Sequence, residues 1–151
     1  MTMLHNKVVI VTGSTTGIGQ AVARACVQQG AKVVVHGRDR SRGEQLCAEL
    51  GENALLVCED LADLSAPPRI VSAAVDRFGR LDAVVNNAAW VVRSDLDNTS
   101  ADLFDGVMAV NVRAPLLLIQ AARRHLRASQ GCIANIGSVN SLGGERNLLA
   151  Y

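Results

Sequence analysis

The sequence predicts an α/β protein with a doubly wound parallel sheet, that is, a sheet with helices on both faces. Strand-like and helix-like patterns alternate along all 151 residues, and the apolar residues, 49% of the chain, include only 3% aromatics. Buried parallel strands are rich in Val, Ile and Leu, and such alternation favours right-handed crossover connections. A glycine-rich turn after the first apolar run agrees with both observations. We expect a single domain over 1–151, because this length suits one core.

Five short apolar runs are predicted as strands. They cover residues 8–11, 32–36, 54–58, 81–85 and 132–136. The runs are rich in branched aliphatic side chains, which is typical of buried strands, and Gly131 opens the last of them. Because helical patterns separate the strands, the predicted order is βαβαβαβαβ. Ligands of such sheets bind beyond the carboxyl ends of the strands, so the residues after each strand are the candidate site residues.

The first helix is predicted from one apolar face. Ile18, Ala21, Val22 and Ala25 recur at helical spacing, and the helix ends near Gly30.

The next two helices are predicted from their start signals. Ser41 and Glu44 have the spacing of a capping box, so they predict the start of the second helix, which Gly51 ends. Pro67 and Pro68 suit the first turn of the third helix, because their missing N–H groups have no helical partner there.

A long fourth helix is predicted to begin after Thr99 or Ser100, either of which suits a cap, and to run towards Leu126. Pro115 lies inside it. A proline lacks an N–H and crowds the carbonyl four residues earlier, here that of Asn111, so we expect a kink that releases this oxygen. A released carbonyl that faces a cleft binds water. Asn111 is therefore a candidate site residue.

The turn after the first strand is predicted to bind the phosphates of a nucleotide. Its glycines allow a sharp turn and a close approach of the backbone to an anion. The following helix supplies free N–H groups and the positive end of its dipole. The spacing is G-x-x-x-G-x-G, which differs from G-x-G-x-x-G, and a tight turn without a ligand is the alternative. The residues assigned to this cradle are Gly13, Ser14, Thr15, Thr16, Gly17, Ile18 and Gly19.

The residues after the second strand favour NADP over NAD. An acidic residue that would bind the ribose 2′-hydroxyl is missing there, and Arg38 offers a guanidinium that suits a 2′-phosphate. The alternative is a solvated charged turn formed by Arg38, Asp39 and Arg40. The closeness of Asp39 weakens the preference for the phosphorylated cofactor.

Polar residues also follow the third and fourth strands. Asp60, followed by Leu61, offers a carboxylate for an adenine amino group, although a loop or capping Asp is an equal interpretation. Asn86 and Asn87 offer amides that hold neighbouring backbone segments, and the small Ala88 beside them leaves room for a flat ring. Asn is also a common turn residue, so this segment alone says little.

Taken together, these residues show that the sequence resembles the short-chain dehydrogenase/reductase family along its whole length. The fold of that family is Rossmann-like. Each match is modest, but the set has the family's order and spacing. The matching residues are Thr12, Gly13, Gly17, Ile18, Gly19, Asp60, Leu61, Asn86, Asn87, Ala88, Asn111, Ser138 and Tyr151.

The resemblance implies a nicotinamide cofactor across the strand ends and hydride exchange between a secondary alcohol and a ketone. Ser138 would polarise the substrate oxygen, Tyr151 would pass the proton, and Asn111 would shape the helix and a water relay. Relatives are usually homodimers or homotetramers. Two departures are Ala89 in place of a usual Gly, and Thr16 where NADP-preferring members often carry a basic residue.

The resemblance also places a Lys four residues after the active-site tyrosine. In the family this positive charge makes the tyrosine hydroxyl, whose unperturbed pKa is about 10, able to transfer a proton at neutral pH. The given sequence ends at Tyr151. The expectation is therefore an amino-terminal part of a longer enzyme, inactive without that Lys and incomplete at the C-terminal side of its sheet. A nucleotide-binding remnant that acts as a binding or regulatory module is the alternative.

Composition excludes several other classes. A formal net charge of +1 gives no basic stripe for nucleic acid. The apolar runs are far shorter than the roughly 20 residues that span a bilayer, and residues 1–7 are too polar for a signal peptide, so we expect a cytoplasmic protein without membrane contact. The cysteines lack metal or redox spacing and are expected as reduced apolar residues: Cys26, Cys47, Cys58 and Cys132. The histidines are expected at the surface: His5, His36 and His125.

Overall fold

The structure, a computed structural model, describes residues 2–151. Within them, five parallel strands form one sheet in the order β3-β2-β1-β4-β5. The strands are β1 (Val8–Val11), β2 (Lys32–Gly37), β3 (Ala54–Cys58), β4 (Ala83–Asn86) and β5 (Cys132–Asn135). The strand order reverses between β1 and β4, which opens a crevice at their carboxyl ends. The predicted doubly wound, Rossmann-like fold is confirmed.

Helices cover both faces of this sheet. They are α1 (Gly17–Gln28), α2 (Arg40–Leu50), α3 (Ala66–Phe78), α4 (Ala101–Met108) and α5 (Ala114–Ser129). Alternate residues of β1 enter two cores: Val9 and Val11 pack with α1 and α2, while Val8 and Ile10 pack with α3 and α5. The central strand is therefore apolar throughout, as expected for a strand buried on both faces. In residues 2–151, no helix combines the length and apolar character that a membrane span requires.

The helix starts agree with the sequence in two cases and differ in one. Both prolines lie in the first turn of α3, and the Ser100 hydroxyl accepts a hydrogen bond from Leu103 N at 3.2 Å. The predicted capping box at Ser41 is wrong, because Asp39 caps α2 and its carboxylate accepts from Arg42 N at 3.0 Å. Asp39 has an extended backbone, and its negative charge also suits the positive end of the helix dipole.

The long fourth helix is interrupted before Pro115. Between α4 and α5, the residues Ala109–Arg113 form a π-helical turn, in which Ala114 N donates to Ala109 O. Pro115 follows in the first turn of α5. Such a turn is one of the ordinary ways in which a helix accommodates a proline, so the predicted irregularity beside Pro115 is confirmed, while the release of the Asn111 carbonyl stays a prediction. It places Asn111 at the centre of the irregular segment.

Candidate functional site

The crevice at the carboxyl ends of the strands contains a cavity of about 380 Å³, which we call the crevice cavity. Most of the residues that the sequence assigns to a cofactor line it. They are Gly13, Thr15, Thr16, Gly17, Ile18, Arg38, Asp60, Leu61, Asn87 and Ala88. The sheet topology thus gathers residues from the ends of four strands into one site.

The glycine turn, residues 13–19, forms one wall of this cavity and requires glycine for two different reasons. Gly13 has a φ of +63°, and a Cβ there would lie 2.8 Å from the Ala88 Cα. At Gly19, a Cβ would overlap the Asn87 side chain and the Gly13 carbonyl. The turn is therefore packed directly against the end of β4, with no space for a side chain between them.

Two predicted cradle residues support the glycine turn from behind and do not line the cavity. Gly19 packs against Asn87, as described above, and Ser14 is fully buried. The Ser14 hydroxyl donates to Val11 O at 2.7 Å and accepts from His36 N at 2.9 Å, while Ser14 N donates to His36 O at 2.8 Å. These bonds fasten the turn to the end of β2.

The start of α1, at the end of the glycine turn, leaves its first backbone N–H groups without helical partners. Thr16, the residue before the helix, is extended, and in the described chain no side chain caps the helix there. Side chains do cap α2, through Asp39, and α4, through Ser100. Free N–H groups at a helix start, beside a backbone that tolerates close approach, suit a diphosphate. The residues present therefore fit the phosphates of a dinucleotide.

Asn87 holds the ends of β1 and β4 together. Its amide donates to Thr12 O at 2.9 Å and to Gly13 O at 3.1 Å. The Thr12 hydroxyl accepts from Asn87 N and from Ala88 N, both at 3.0 Å. Asn86 makes a further bond to Asn135 on β5 at 2.8 Å. The predicted hold on neighbouring backbone is confirmed for Asn87, whereas the Asn86 amide binds a side chain of β5. Ala88 lines the cavity beside them.

The ends of β2 and β3 form the opposite wall. Arg38 is exposed and lines the crevice cavity. Asp39 turns to the start of α2, where its carboxylate binds Arg42 N and lies 3.2 Å from Arg42 Nε. Asp60 lines the cavity and accepts from Ala62 N at 2.9 Å, so its interpretation as a loop Asp is confirmed, while its contact with adenine stays a prediction. The carboxylate nearest to Arg38 in sequence is therefore engaged elsewhere.

An ion-pair cluster fixes the loop that carries Asp60. Arg69 on α3 binds both carboxylate oxygens of Glu59, at 2.7 and 2.6 Å, and Asp63 at 2.8 Å. Hydrogen bonds from Arg69 lower the pKa of Glu59, and hydrogen bonds from Arg69 and Ser65 lower the pKa of Asp63 to about 2. All three groups are charged at neutral pH, so Arg69 links both ends of the segment 59–63, which contains Asp60.

The three candidate catalytic residues lie outside the lining of the crevice cavity. The Asn111 side chain binds the backbone of Trp90, and the Ser138 hydroxyl accepts from Asn140 N at 3.2 Å. Tyr151 is 38% exposed and lines a second cavity, of about 550 Å³, beside Ser94. Across residues 2–151, no hydrogen bond joins the side chains of Asn111, Ser138 and Tyr151 to one another. Their catalytic roles remain predictions.

Six lining residues were not assigned to the cofactor from the sequence: His36, Gly37, Glu59, Ala89, Trp90 and Val110. The expectation of a surface role for His36 is wrong, since only 2% of the residue is exposed. It lies near the end of β2, which pairs with β1 and β3 and is covered by the glycine turn. The position of His36 at the end of an apolar strand was the available signal.

The sequence matches a family profile described as short chain dehydrogenase over residues 7–151. The short-chain dehydrogenase/reductase FrzI of Cladobotryum sp is 39% identical over 152 residues, which cover 98% of this chain and 58% of that protein. L-fucose dehydrogenase of Mus musculus is 38% identical over 152 residues, which cover 100% of this chain and 55% of that protein.

A solved structure with the same fold is that of 3-ketoacyl-(acyl-carrier-protein) reductase from Brucella melitensis, complexed with NADH. Its TM-score is 0.92 at 30% identity, and the match covers 98% of this chain and 64% of that one. The chain thus spans between half and two thirds of the length of these relatives. The family match and the shared fold agree with the motifs around the crevice, and the chain belongs to the short-chain dehydrogenase/reductase family, whose members are oxidoreductases.

Proposed function

We propose that this chain forms the dinucleotide-binding part of an NADP(H)-dependent oxidoreductase that interconverts a secondary alcohol and a ketone. One observation carries the proposal: the crevice cavity has an uncapped helix start on one side and the exposed guanidinium of Arg38 on the other. The first suits a diphosphate and the second a 2′-phosphate. Asp39, the carboxylate beside Arg38, is bound to Arg42, which supports the preference for the phosphorylated cofactor.

The residues around the cavity would hold the remaining parts of the cofactor. Asp60, held by Ala62 N, offers a carboxylate oxygen to the adenine amino group. Asn87 and Ala88 form the floor between β1 and β4, where the bonds to Thr12 prevent the two strand ends from separating. A rigid floor of this kind orients a ligand without a cost in loop ordering when it binds.

The bound nicotinamide would supply or accept the hydride. We propose that the Ser138 hydroxyl donates to the substrate oxygen as charge develops on it, and that the Tyr151 hydroxyl transfers the proton. An unperturbed tyrosine hydroxyl has a pKa of about 10, so proton transfer at neutral pH requires a nearby positive charge. Asn111 would position the wall of the cavity through Trp90 and bind a water through its carbonyl.

The proposal is tested by comparing the phosphorylated and unphosphorylated cofactors. Trp90 is the single tryptophan and lines the crevice cavity, so its fluorescence reports binding directly. We expect NADPH to bind at least about tenfold more tightly than NADH, and 2′,5′-ADP to compete with it, because Arg38 adds a charge-assisted bond. Equal or tighter binding of NADH would overturn the cofactor preference. Binding without ketone-dependent NADPH oxidation by the whole protein would favour the binding module instead.

We also propose self-association through the long helical segment. Phe104 on α4, Val112 in the π-helical turn and Leu116 on α5 are 45%, 58% and 54% exposed. Exposed apolar side chains that cluster along one segment are typical of an interface. Light scattering after size-exclusion chromatography is expected to give a dimer or tetramer mass for the protein and a lower mass for the Leu116→Lys variant.

A further inference from the structure

We propose that His36 is a positioning residue of the glycine turn: its neutral imidazole accepts a hydrogen bond from Gly13 N and thereby makes dinucleotide affinity depend on pH. The inference rests on the proposed dinucleotide binding at this turn. His36 belongs to none of the residues that the sequence assigned to the cofactor, and the proposed hydride and proton transfers do not use it.

The two partners of the imidazole allow one protonation state. His36 Nδ1 lies 3.3 Å from Gly13 N, and Nε2 lies 3.2 Å from Glu59 O. A backbone N–H can only donate and a carbonyl can only accept. Nδ1 must therefore carry a lone pair and Nε2 a proton, which is the neutral Nε2–H tautomer.

The side chain adds a third link between β2 and the glycine turn. The His36 backbone already binds Ser14 in both directions, at 2.9 and 2.8 Å. These two bonds hold Ser14, whereas the imidazole holds Gly13, the residue with a φ of +63° and its backbone against Ala88. Loss of the imidazole bond would release the Gly13 end of the turn and leave the Ser14 end attached.

The charged groups around His36 define its titration. Glu59 and Asp60 face it from the end of β3, and Arg69 of α3 pairs with Glu59. Arg38 lies two residues after His36, just beyond the end of β2. Burial lowers the pKa of His36, while the bond to the Glu59 backbone and the charges of Glu59 and Asp60 oppose that shift. The imidazole is therefore neutral at neutral pH. Once protonated, it presents a second N–H to the Gly13 N–H, and the bond is lost.

The lowered pKa also sets the direction of the pH effect. The folded protein binds a proton at His36 less tightly than the unfolded chain does. The contribution of His36 to the free energy of unfolding is therefore largest above the unfolded pKa of about 6.5. That contribution falls as the pH drops from about 6.5 towards the folded pKa. Dinucleotide affinity is expected to fall together with the population of the neutral imidazole.

Two substitutions test the roles of the two imidazole nitrogens of His36 separately. In His36→Asn the amide oxygen replaces Nδ1 as an acceptor for Gly13, and in His36→Gln the amide nitrogen replaces Nε2 as a donor to Glu59. NAD⁺ is the probe, because the 2′-phosphate of NADP⁺ itself titrates near pH 6. We expect the wild-type dissociation constant to rise roughly fivefold, the effect of one hydrogen bond, as the pH falls from about 8 through the lowered pKa of the folded His36.

Each variant has its own expected result. His36→Asn should bind NAD⁺ as tightly as the wild type at high pH and lose the pH dependence. His36→Gln should bind roughly fivefold more weakly at every pH. A purely structural role for the ring would weaken both variants alike and overturn the proposal, as would an unchanged pH dependence in His36→Asn.

Nitrogen NMR of the wild type without cofactor supplies an independent readout. The Nε2–H tautomer at neutral pH supports the proposal, and a protonated Nδ1 overturns it whether or not the variants fold. If NAD⁺ and NADP⁺ both fail to bind, the proposed function fails. The positioning role is then decided by the protection factor of the Gly13 amide, that is, its intrinsic hydrogen-exchange rate at each pH divided by the observed rate. This protection should fall at low pH in the wild type and stay constant in His36→Asn.

Discussion

The side-chain amide of Asn111 and the backbone of Trp90 form a reciprocal pair of hydrogen bonds. Trp90 N donates to Asn111 Oδ1 at 2.7 Å, and Asn111 Nδ2 donates to Trp90 O at 3.1 Å. Asn111 lies in the π-helical turn and Trp90 lines the crevice cavity. The pair therefore connects the irregular part of the long helical segment to one wall of the candidate site.

Asn111→Asp is expected to break half of this pair. The carboxylate still accepts from Trp90 N, but its second oxygen faces the Trp90 carbonyl, so two acceptors oppose each other. We expect the free energy of unfolding to fall by about 1–3 kcal/mol and the Trp90 emission to shift to longer wavelength. Urea denaturation followed by fluorescence measures both. Gln120→Glu makes the same chemical change at an exposed position of α5 and should leave both unchanged. Equal effects of the two substitutions would contradict this prediction.

Gly19→Ala is expected to separate the glycine turn from β4. The added Cβ would overlap the Asn87 amide and the Gly13 carbonyl, which are bonded to each other. We expect a loss of about 1–3 kcal/mol of stability and a weaker binding of either cofactor, because the phosphate-binding backbone must move. Thermal unfolding and fluorescence titration measure these effects. Gly143→Ala, where no atom lies within 4 Å of the added Cβ, is the matched control. Wild-type affinity in Gly19→Ala would refute the prediction.

The architecture could be predicted from the sequence because it depends on regular patterns. Alternating residues of β1 supply two cores, so Val8 to Val11 are all apolar, and this signal is visible without the structure. The glycine turn and the residues after each strand gather in one crevice because parallel strands end at the same edge of a sheet. This rule predicts where the candidate residues gather, whereas their assignment to a nicotinamide cofactor also depends on the resemblance to the family.

The remaining details depend on contacts that a single sequence does not display. Asp39 and Ser41 have similar capping chemistry, and the backbone conformation of Asp39 decided between them. His36 is polar and ends a strand, so its burial became visible only with the glycine turn folded over it. The roles of Ser138 and Tyr151 come from the resemblance, and no hydrogen bond between the two side chains supports that assignment.

Arg38→Ala is expected to remove the preference for NADPH. The guanidinium lines the crevice cavity, and loss of a charge-assisted bond to a phosphate costs about 1.5–3 kcal/mol, or roughly ten- to hundredfold in affinity. NADH binding should change little. Arg40→Ala is the control, because Arg40 is similarly exposed but lies 3.6 Å from Glu44 on its own helix. If Arg38→Ala weakens NADPH and NADH equally, Arg38 belongs to a solvated charged turn.

Asp82 lies at the opposite edge of the sheet from the crevice cavity, and its effect should be on stability alone. Only 5% of it is exposed, and it accepts from Val8 N at 2.9 Å, from Lys7 at 3.1 Å and from Arg80 at 2.6 and 2.8 Å. Burial opposes its ionisation, but the hydrogen bonds from Arg80, Val8 and Lys7 outweigh burial and lower its pKa.

Asp82→Asn should therefore destabilise the protein by about 1–2 kcal/mol at neutral pH. The loss is limited because Asn still accepts one hydrogen bond, and because the half-exposed side chains of Lys7 and Arg80 regain contact with water. The lowered pKa means that the wild-type advantage is full above about pH 4 and disappears as the pH falls through the folded pKa. Chemical denaturation from neutral to strongly acidic pH measures this convergence, with the exposed Asp76→Asn as control. A stability difference that persists unchanged at acidic pH would show that shape, and not charge, makes Asp82 important.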